Sequence, residues 1–171
     1  MQQRTVLRLA GVATIVGAAI DVVAPFLIYP RLVEPQPHLV YVTIDLLLMI
    51  GMLGVWSASR RSAGVLALVG FVLGLLGVML VRTSSAKIFG EASYRIASSV
   101  WSIGMVLWAV DLLRAKVFRA PAALWIAALV IGLAGLALKD HGPVAYVAKM
   151  SFIVGFIVAG IDLVRTREAR S

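Results

Sequence analysis

The sequence predicts an all-α fold, a polytopic bundle of about six membrane-spanning helices. Hydrophobic residues make up 61% of its 171 residues and the mean hydropathy is +1.00, whereas a water-soluble domain needs a more polar exterior. The apolar residues also fall into long runs, each close to the roughly 20 residues that a helix needs to cross the hydrocarbon core. We therefore expect residues 1–171 to form a single integral membrane domain.

The predicted spans follow one another closely along the chain. Hydropathy and length place them at residues 6–29, 39–58, 64–81, 93–113, 121–138 and 144–164. A cleaved signal peptide ending near Gly17 is the alternative for the first span, but its apolar run continues to Tyr29, which favours a retained helix. Because the connections are short, successive helices are expected to be antiparallel neighbours.

Lysines and arginines divide between two sets of loops and chain ends, and the richer set predicts the cytoplasmic side. That set contains Arg4, Arg8, Arg60, Arg61, Arg114, Lys116, Arg119, Arg165, Arg167 and Arg170, against Arg31, Arg82, Lys87, Arg95, Lys139 and Lys149 in the other. Both termini are therefore expected in the cytoplasm, in a bacterial-type inner (plasma) membrane. Basic residues that anchor the loops at the membrane surface also explain the formal charge of +8. No nucleic-acid partner is therefore expected.

Internal similarity predicts a two-helix unit used three times. Residues 8–17 align with residues 61–70, and residues 104–114 align with residues 155–165. Gly51 and Arg61 are as far apart in the sequence as Gly104 and Arg114, which begin and end one of these segments, and as Gly155 and Arg165, which begin and end the other. The alternative stays open that helices rich in Gly, Ala and Val match one another through composition alone.

Glycines at helical spacing predict close helix–helix approach, as in the run of Gly70, Gly74 and Gly77. Packing within the chain is the simpler interpretation of these faces. A dimerisation face in a homo-oligomer is the alternative.

Four aspartates lie within predicted spans, and two of them have a basic neighbour. Asp111 precedes Arg114 by three residues, and Asp162 precedes Arg165 by the same distance. This spacing places both groups on one helix face, and the arginine can extend to the membrane interface. Each aspartate is therefore expected to form a local structural pair.

Asp21 and Asp45 have no basic residue three or four positions away. At about 1.5 Å of rise per residue, the two fall at similar depth in the outer half of the bilayer. A carboxylate isolated in hydrocarbon is costly or takes up a proton, so both are expected to turn inward. Pro25 lacks an N–H group, which frees the carbonyl of Asp21 as a second acceptor at the same place.

Further polar residues are predicted at this depth, and with Asp21 and Asp45 they complete a candidate ligand-binding site. They are two cations, three serines at helical spacing, a tyrosine and a histidine, namely Arg95, Lys149, Ser98, Ser99, Ser102, Tyr41 and His38. Two interpretations stay open. The cations lock the acids in structural ion pairs, or the acids form a site for a ligand, an ion or a proton.

No metal and no cofactor are expected. The chain has no cysteine and only two histidines, His38 and His141, which lie in outer loops or at helix starts. Thiolate metal sites and paired haem ligation within the bundle are therefore disfavoured. No HExxH motif or glycine-rich phosphate loop occurs.

The leading hypothesis is a small membrane protein that binds, and in a further step transports, a small solute or a proton through an outward-facing polar pocket. One alternative is a membrane-embedded enzyme that uses Asp21 or Asp45 as the acid for isomerisation or cyclisation of a lipophilic molecule. Another is a structural or assembly subunit that packs through its glycine faces. The expected partners are membrane lipid, the small ligand or proton, and a second copy of the chain.

Overall fold

The computed structural model describes residues 2–84, 87, 90–138 and 142–165, and over these ranges it contains helices and turns but no strand. Among the residues discussed above, Lys139, His141, Arg167 and Arg170 lie outside the described ranges.

Six long helices account for most of the described chain. They are α1 (Gln2–Leu27), α2 (Gln36–Ser59), α3 (Val65–Thr83), α4 (Ser93–Arg114), α5 (Arg119–Ala137) and α6 (Pro143–Arg165). Each is long and apolar enough to cross a membrane, which confirms the predicted class of all-α, multi-pass membrane protein. Each extends one to four residues beyond its predicted span at one end or both, and α1, α3 and α5 stop one or two residues short at the other end. The added residues include polar ones, which can lie in the interfacial layer.

Two compact units divide the chain, one formed by Met1–Ala58 with Phe156–Ser171 and the other by Ser59–Gly155. The first holds α1, nearly all of α2 and the second half of α6. The second holds α3, α4, α5 and the first half of α6. The single membrane domain stays a prediction.

In the first unit, α1 and α2 pack as an antiparallel hairpin through small residues. A Cβ added to Gly54 would lie 2.7 Å from the Cβ of Ala10, and one added to Gly17 would lie 2.7 Å from the Cβ of Leu47. Between these contacts, the backbone at Gly51 lies directly against the Thr14 side chain. The two backbones approach closely because glycine has no side chain to separate them.

In the second unit, glycines of α3 and large aromatic side chains form the core. Gly74 packs against Gly104 on α4, and Gly77 packs against Trp101. Trp108 is fully buried, with its ring centroid 5.3 Å from Phe71 and 6.1 Å from Trp125. These glycines thus have intramolecular partners, as the simpler interpretation of the glycine faces predicts.

Three glycines at corresponding sequence positions occupy corresponding places in their hairpins. Gly51, Gly104 and Gly155 face Thr14, Gly74 and Trp125 on the preceding helix. Thirty residues separate the partners in the α3–α4 and α5–α6 pairs, and thirty-seven separate Thr14 from Gly51. The seven additional residues make about two helical turns, so α1 turns toward α2 the same face that it would at a separation of thirty residues. This arrangement supports the two-helix repeat, which stays a prediction.

Candidate functional site

The α1–α2 hairpin carries both Asp21 and Asp45, and Asp21 lies on the inward face of α1. Gly17 and Ala24 are four residues before it and three residues after it, and both are buried, as is Ala18. Residues on the other faces are exposed, with Phe26 at 64%. Asp21 itself is half-buried. Its helix therefore presents the carboxyl group to the protein side and not to the lipid side.

Asp45 lies on the inward face of α2 in the same way. Leu48 and Met52, three and seven residues further on, are 3% and 1% exposed. Asp45 continues this stripe of inward-facing residues at helical spacing and is itself half-buried. Tyr41 lies one turn before Asp45 on this stripe and is also half-buried. The opposite face is exposed at Leu46, which is 56% accessible.

The two acids lie at nearly the same level of the hairpin. The antiparallel contacts of Gly17 with Leu47 and of Gly51 with Thr14 set the register of α1 against α2. Both acids lie between these contacts and the connecting loop. In this register the position of Asp21 on α1 and that of Asp45 on α2 differ by one or two residues, which is at most about 3 Å along the helix axis. Two half-buried carboxyl groups thus share one layer of the first unit.

Aromatic side chains cover the loop end of this layer. The rings of Tyr29 and Tyr41 lie 4.8 Å apart at 47°, and the His38 ring stands 6.3 Å from Tyr41 in an edge-on arrangement. Nε2 of His38 lies 3.2 Å from Oε2 of Glu34. From the loop inward, the hairpin therefore presents Glu34 with His38, then the tyrosine pair, then the two aspartates.

The end of α1 is consistent with its proline. The helix continues through Pro25 to Leu27, and the N–H of Ile28 donates to the carbonyl of Ala24 at 3.0 Å. Pro25 cannot donate to the carbonyl of Asp21, so the helical ladder misses one bond at that position.

The remaining predicted site residues belong to the second unit. Arg95 and Lys149 are exposed on α4 and α6, and the contact of Trp101 with Phe152 at 5.0 Å sets these helices side by side. The hydroxyl of Ser98 donates to the Arg95 carbonyl at 3.1 Å, which is the ordinary use of a helical serine. The assembly of these groups, with Ser99 and Ser102, around the two aspartates stays a prediction.

The loop half of the α1–α2 hairpin, residues 21–45, carries a charge opposite to that of the chain. Of the 8 acidic residues in the sequence, Asp21, Glu34 and Asp45 fall within 25 residues, against one arginine, Arg31. Carboxylates in a low-dielectric layer, close to aromatic faces, favour a cation or a proton over an anion. Within the described ranges, no group of three or more metal-ligating side chains occurs.

Asp111 has a partner that the sequence-based interpretation missed. Its Oδ2 accepts a 2.6 Å hydrogen bond from the backbone N–H of Gly64, the N-cap residue of α3. The expected partner was Arg114 on the same helix. Gly64 offers no side chain to cap α3, and that lack is the signal in the sequence that a donor group there needs an acceptor from elsewhere. For the equivalent Asp162, the pair with Arg165 stays a prediction.

Comparison of the chain with family models, with curated proteins and with solved structures finds no match. The function therefore has to be inferred from the residues and their arrangement.

Proposed function

We propose that the protein is a multi-pass membrane protein that binds a small solute or a proton at the level of Asp21 and Asp45. The observation that carries the proposal is the placement of both acids at one level of the α1–α2 hairpin, on stripes whose other members are buried. Carboxyl groups turned away from lipid in membrane helices commonly mark ion, proton or substrate sites. The ligand class we favour is cationic, because residues 21–45, the loop half of this hairpin, contain three acids against one arginine.

The chemistry follows from two acids in one layer of low dielectric. If both are ionised their mutual repulsion is unfavourable, so the layer gains from a shared proton or from a cation between them. Release to one side of the membrane after uptake from the other would make the site part of a transport cycle, and we propose that the loop end with Tyr29 and Tyr41 faces the outside.

Asparagine variants of the two acids test the proposal. Asp21→Asn and Asp45→Asn keep the side-chain size and remove the charge, and each is expected to lower cation affinity at least about ten-fold, the equivalent of 1.4 kcal/mol. The measurement is calorimetric titration of the detergent-solubilised protein with sodium, potassium and tetraethylammonium chloride. Proton binding is tested by infrared spectroscopy, in which either substitution should diminish the band of the protonated carboxyl group.

The matched control is Glu34→Gln, which removes an acid whose side chain is 73% exposed in the same hairpin. It should leave both measurements unchanged. If the asparagine variants melt at the wild-type temperature and keep wild-type binding and infrared bands, the site does not exist. If they lose only folding stability, the two acids are structural.

A further inference from the structure

The loop between α2 and α3 and the loop between α4 and α5 place a dense group of cations at one end of the second unit. Arg60 and Arg61 belong to the first loop, and Arg114, Lys116 and Arg119 border or belong to the second. All five side chains are exposed. We call this group the basic patch.

The structure joins the two loops into one surface. The hydrogen bond from Gly64 to Asp111 connects them directly. Beside it lies a shallow surface depression whose walls come from both loops, with Ser62 and Ala63 on one side and Ala115 and Val117 on the other. The five cations therefore act from neighbouring positions on a single end of the unit.

The two loops that form the patch are strongly basic in sequence. From position 59 to position 67 and from position 111 to position 121, the sequence contains one acid, Asp111, against the five cations of the patch. These segments therefore carry a net positive charge that can attract an anionic external partner.

Lys116 occupies a backbone position that favours glycine. It follows the last turn of α4 with φ of 59°, and the bonds from its N–H to the carbonyl of Leu113 and from the N–H of Val117 to the carbonyl of Leu112 complete the usual glycine-type helix ending. A side chain in the left-handed region is unfavourable for any residue with a Cβ. The lysine is therefore held there although glycine would relieve the backbone.

We propose that the basic patch is a binding surface for the phosphate headgroups of anionic phospholipids. The patch lies at the ends of apolar, span-length helices, which is the level that lipid phosphates occupy. Clusters of lysine and arginine in this position attract anionic headgroups, and each cation near the surface adds to the affinity. This surface is separate from the acidic layer proposed above and does not depend on it.

Lys116→Gly is the informative variant, because it removes one cation and relaxes the backbone. It is expected to lower affinity for phosphatidylglycerol about five-fold, while the thermal midpoint stays equal or rises. Adding Arg60→Gln and Arg61→Gln should bring the loss to about 100-fold. The measurement is native mass spectrometry of the full chain in dodecyl maltoside, titrated with phosphatidylglycerol or with phosphatidylcholine.

The matched control is Lys87→Gly. Lys87 also has a positive φ, of 50°, and is exposed, but it lies in the loop between α3 and α4, at the opposite end of the hairpin. It should not change phosphatidylglycerol binding. Equal losses for both glycine variants would overturn the proposal, and so would equal binding of phosphatidylcholine. Displacement of bound lipid by excess inorganic phosphate would show that free phosphate, and not lipid, is the ligand.

Discussion

The N–H of Gly64 donates to the carboxylate of Asp111 across 47 positions of the chain, with 2.6 Å between nitrogen and oxygen. The acceptor belongs to the last turns of α4, and the donor begins α3. One aspartate thus caps the start of the helix that precedes its own, and it does so with the negative charge that a helix N-terminus favours.

This cap predicts a measurable loss of stability. Asp111→Ala removes the acceptor for the Gly64 N–H, and losses of N-terminal caps typically cost about 0.5–2 kcal/mol of unfolding free energy. Asp111→Asn retains an oxygen acceptor and should lose less. The measurement is denaturant or thermal unfolding in detergent, followed by tryptophan fluorescence. Arg114→Gln is the control, and the cap is not the main role of Asp111 if that variant destabilises the protein as much as Asp111→Ala.

Substitution by alanine should have opposite effects on the free energy of unfolding at Gly104 and at Gly132. A Cβ at Gly104 would collide with the backbone of Gly74, whereas a Cβ at Gly132 would meet only the Cβ of Ala148 at 3.8 Å. Gly104→Ala is expected to cost about 1–3 kcal/mol through overpacking. Gly132→Ala should be neutral or gain up to about 1 kcal/mol from helix propensity. Unfolding of both variants under the same conditions compares them, and a stable Gly104→Ala would contradict the packing of α3 on α4.

The same contact predicts an engineered disulfide between α5 and α6. The Cβ built at Gly132 lies 3.8 Å from that of Ala148, which is close to the mean separation across natural disulfides. The chain has no cysteine of its own, so Gly132→Cys with Ala148→Cys should form one bridge on mild oxidation. The measurement is the mass shift after alkylation, with and without reductant. Gly132→Cys with Lys149→Cys is the control, since Lys149 points to another face, and preferential bridging of that pair would contradict the register.

Much of the architecture could be predicted because hydropathy acts along the sequence. The six predicted spans match the six helices to within a few residues, since the length of each apolar run is set by the thickness of the hydrocarbon core. The inward orientation of Asp21 and Asp45 could also be expected, because hydrocarbon does not solvate a carboxylate. The half-buried positions of both acids support that expectation.

The register between paired helices was harder to predict from the sequence. The sequence alignment of residues 8–17 with residues 61–70 pairs Thr14 with Ala67, but the glycine contacts make Gly74 the counterpart of Thr14. The difference of seven residues is about two turns, so both alignments preserve the same face. A pattern that repeats with the helix period cannot distinguish shifts by whole turns.

By itself, the sequence determined the helical class, the approximate ends of the six spans and the presence of two aspartates without a basic residue three or four positions away, since these properties depend on composition and on one-dimensional periodicity. The tertiary structure decided that Asp111 caps α3, which residues of α1 and α2 meet at Gly17 and Gly51, and that the cations of two loops form one surface. Those relationships depend on which residues of different helices meet. Close packing of glycines against neighbouring backbones sets that choice, and it can be read only in three dimensions.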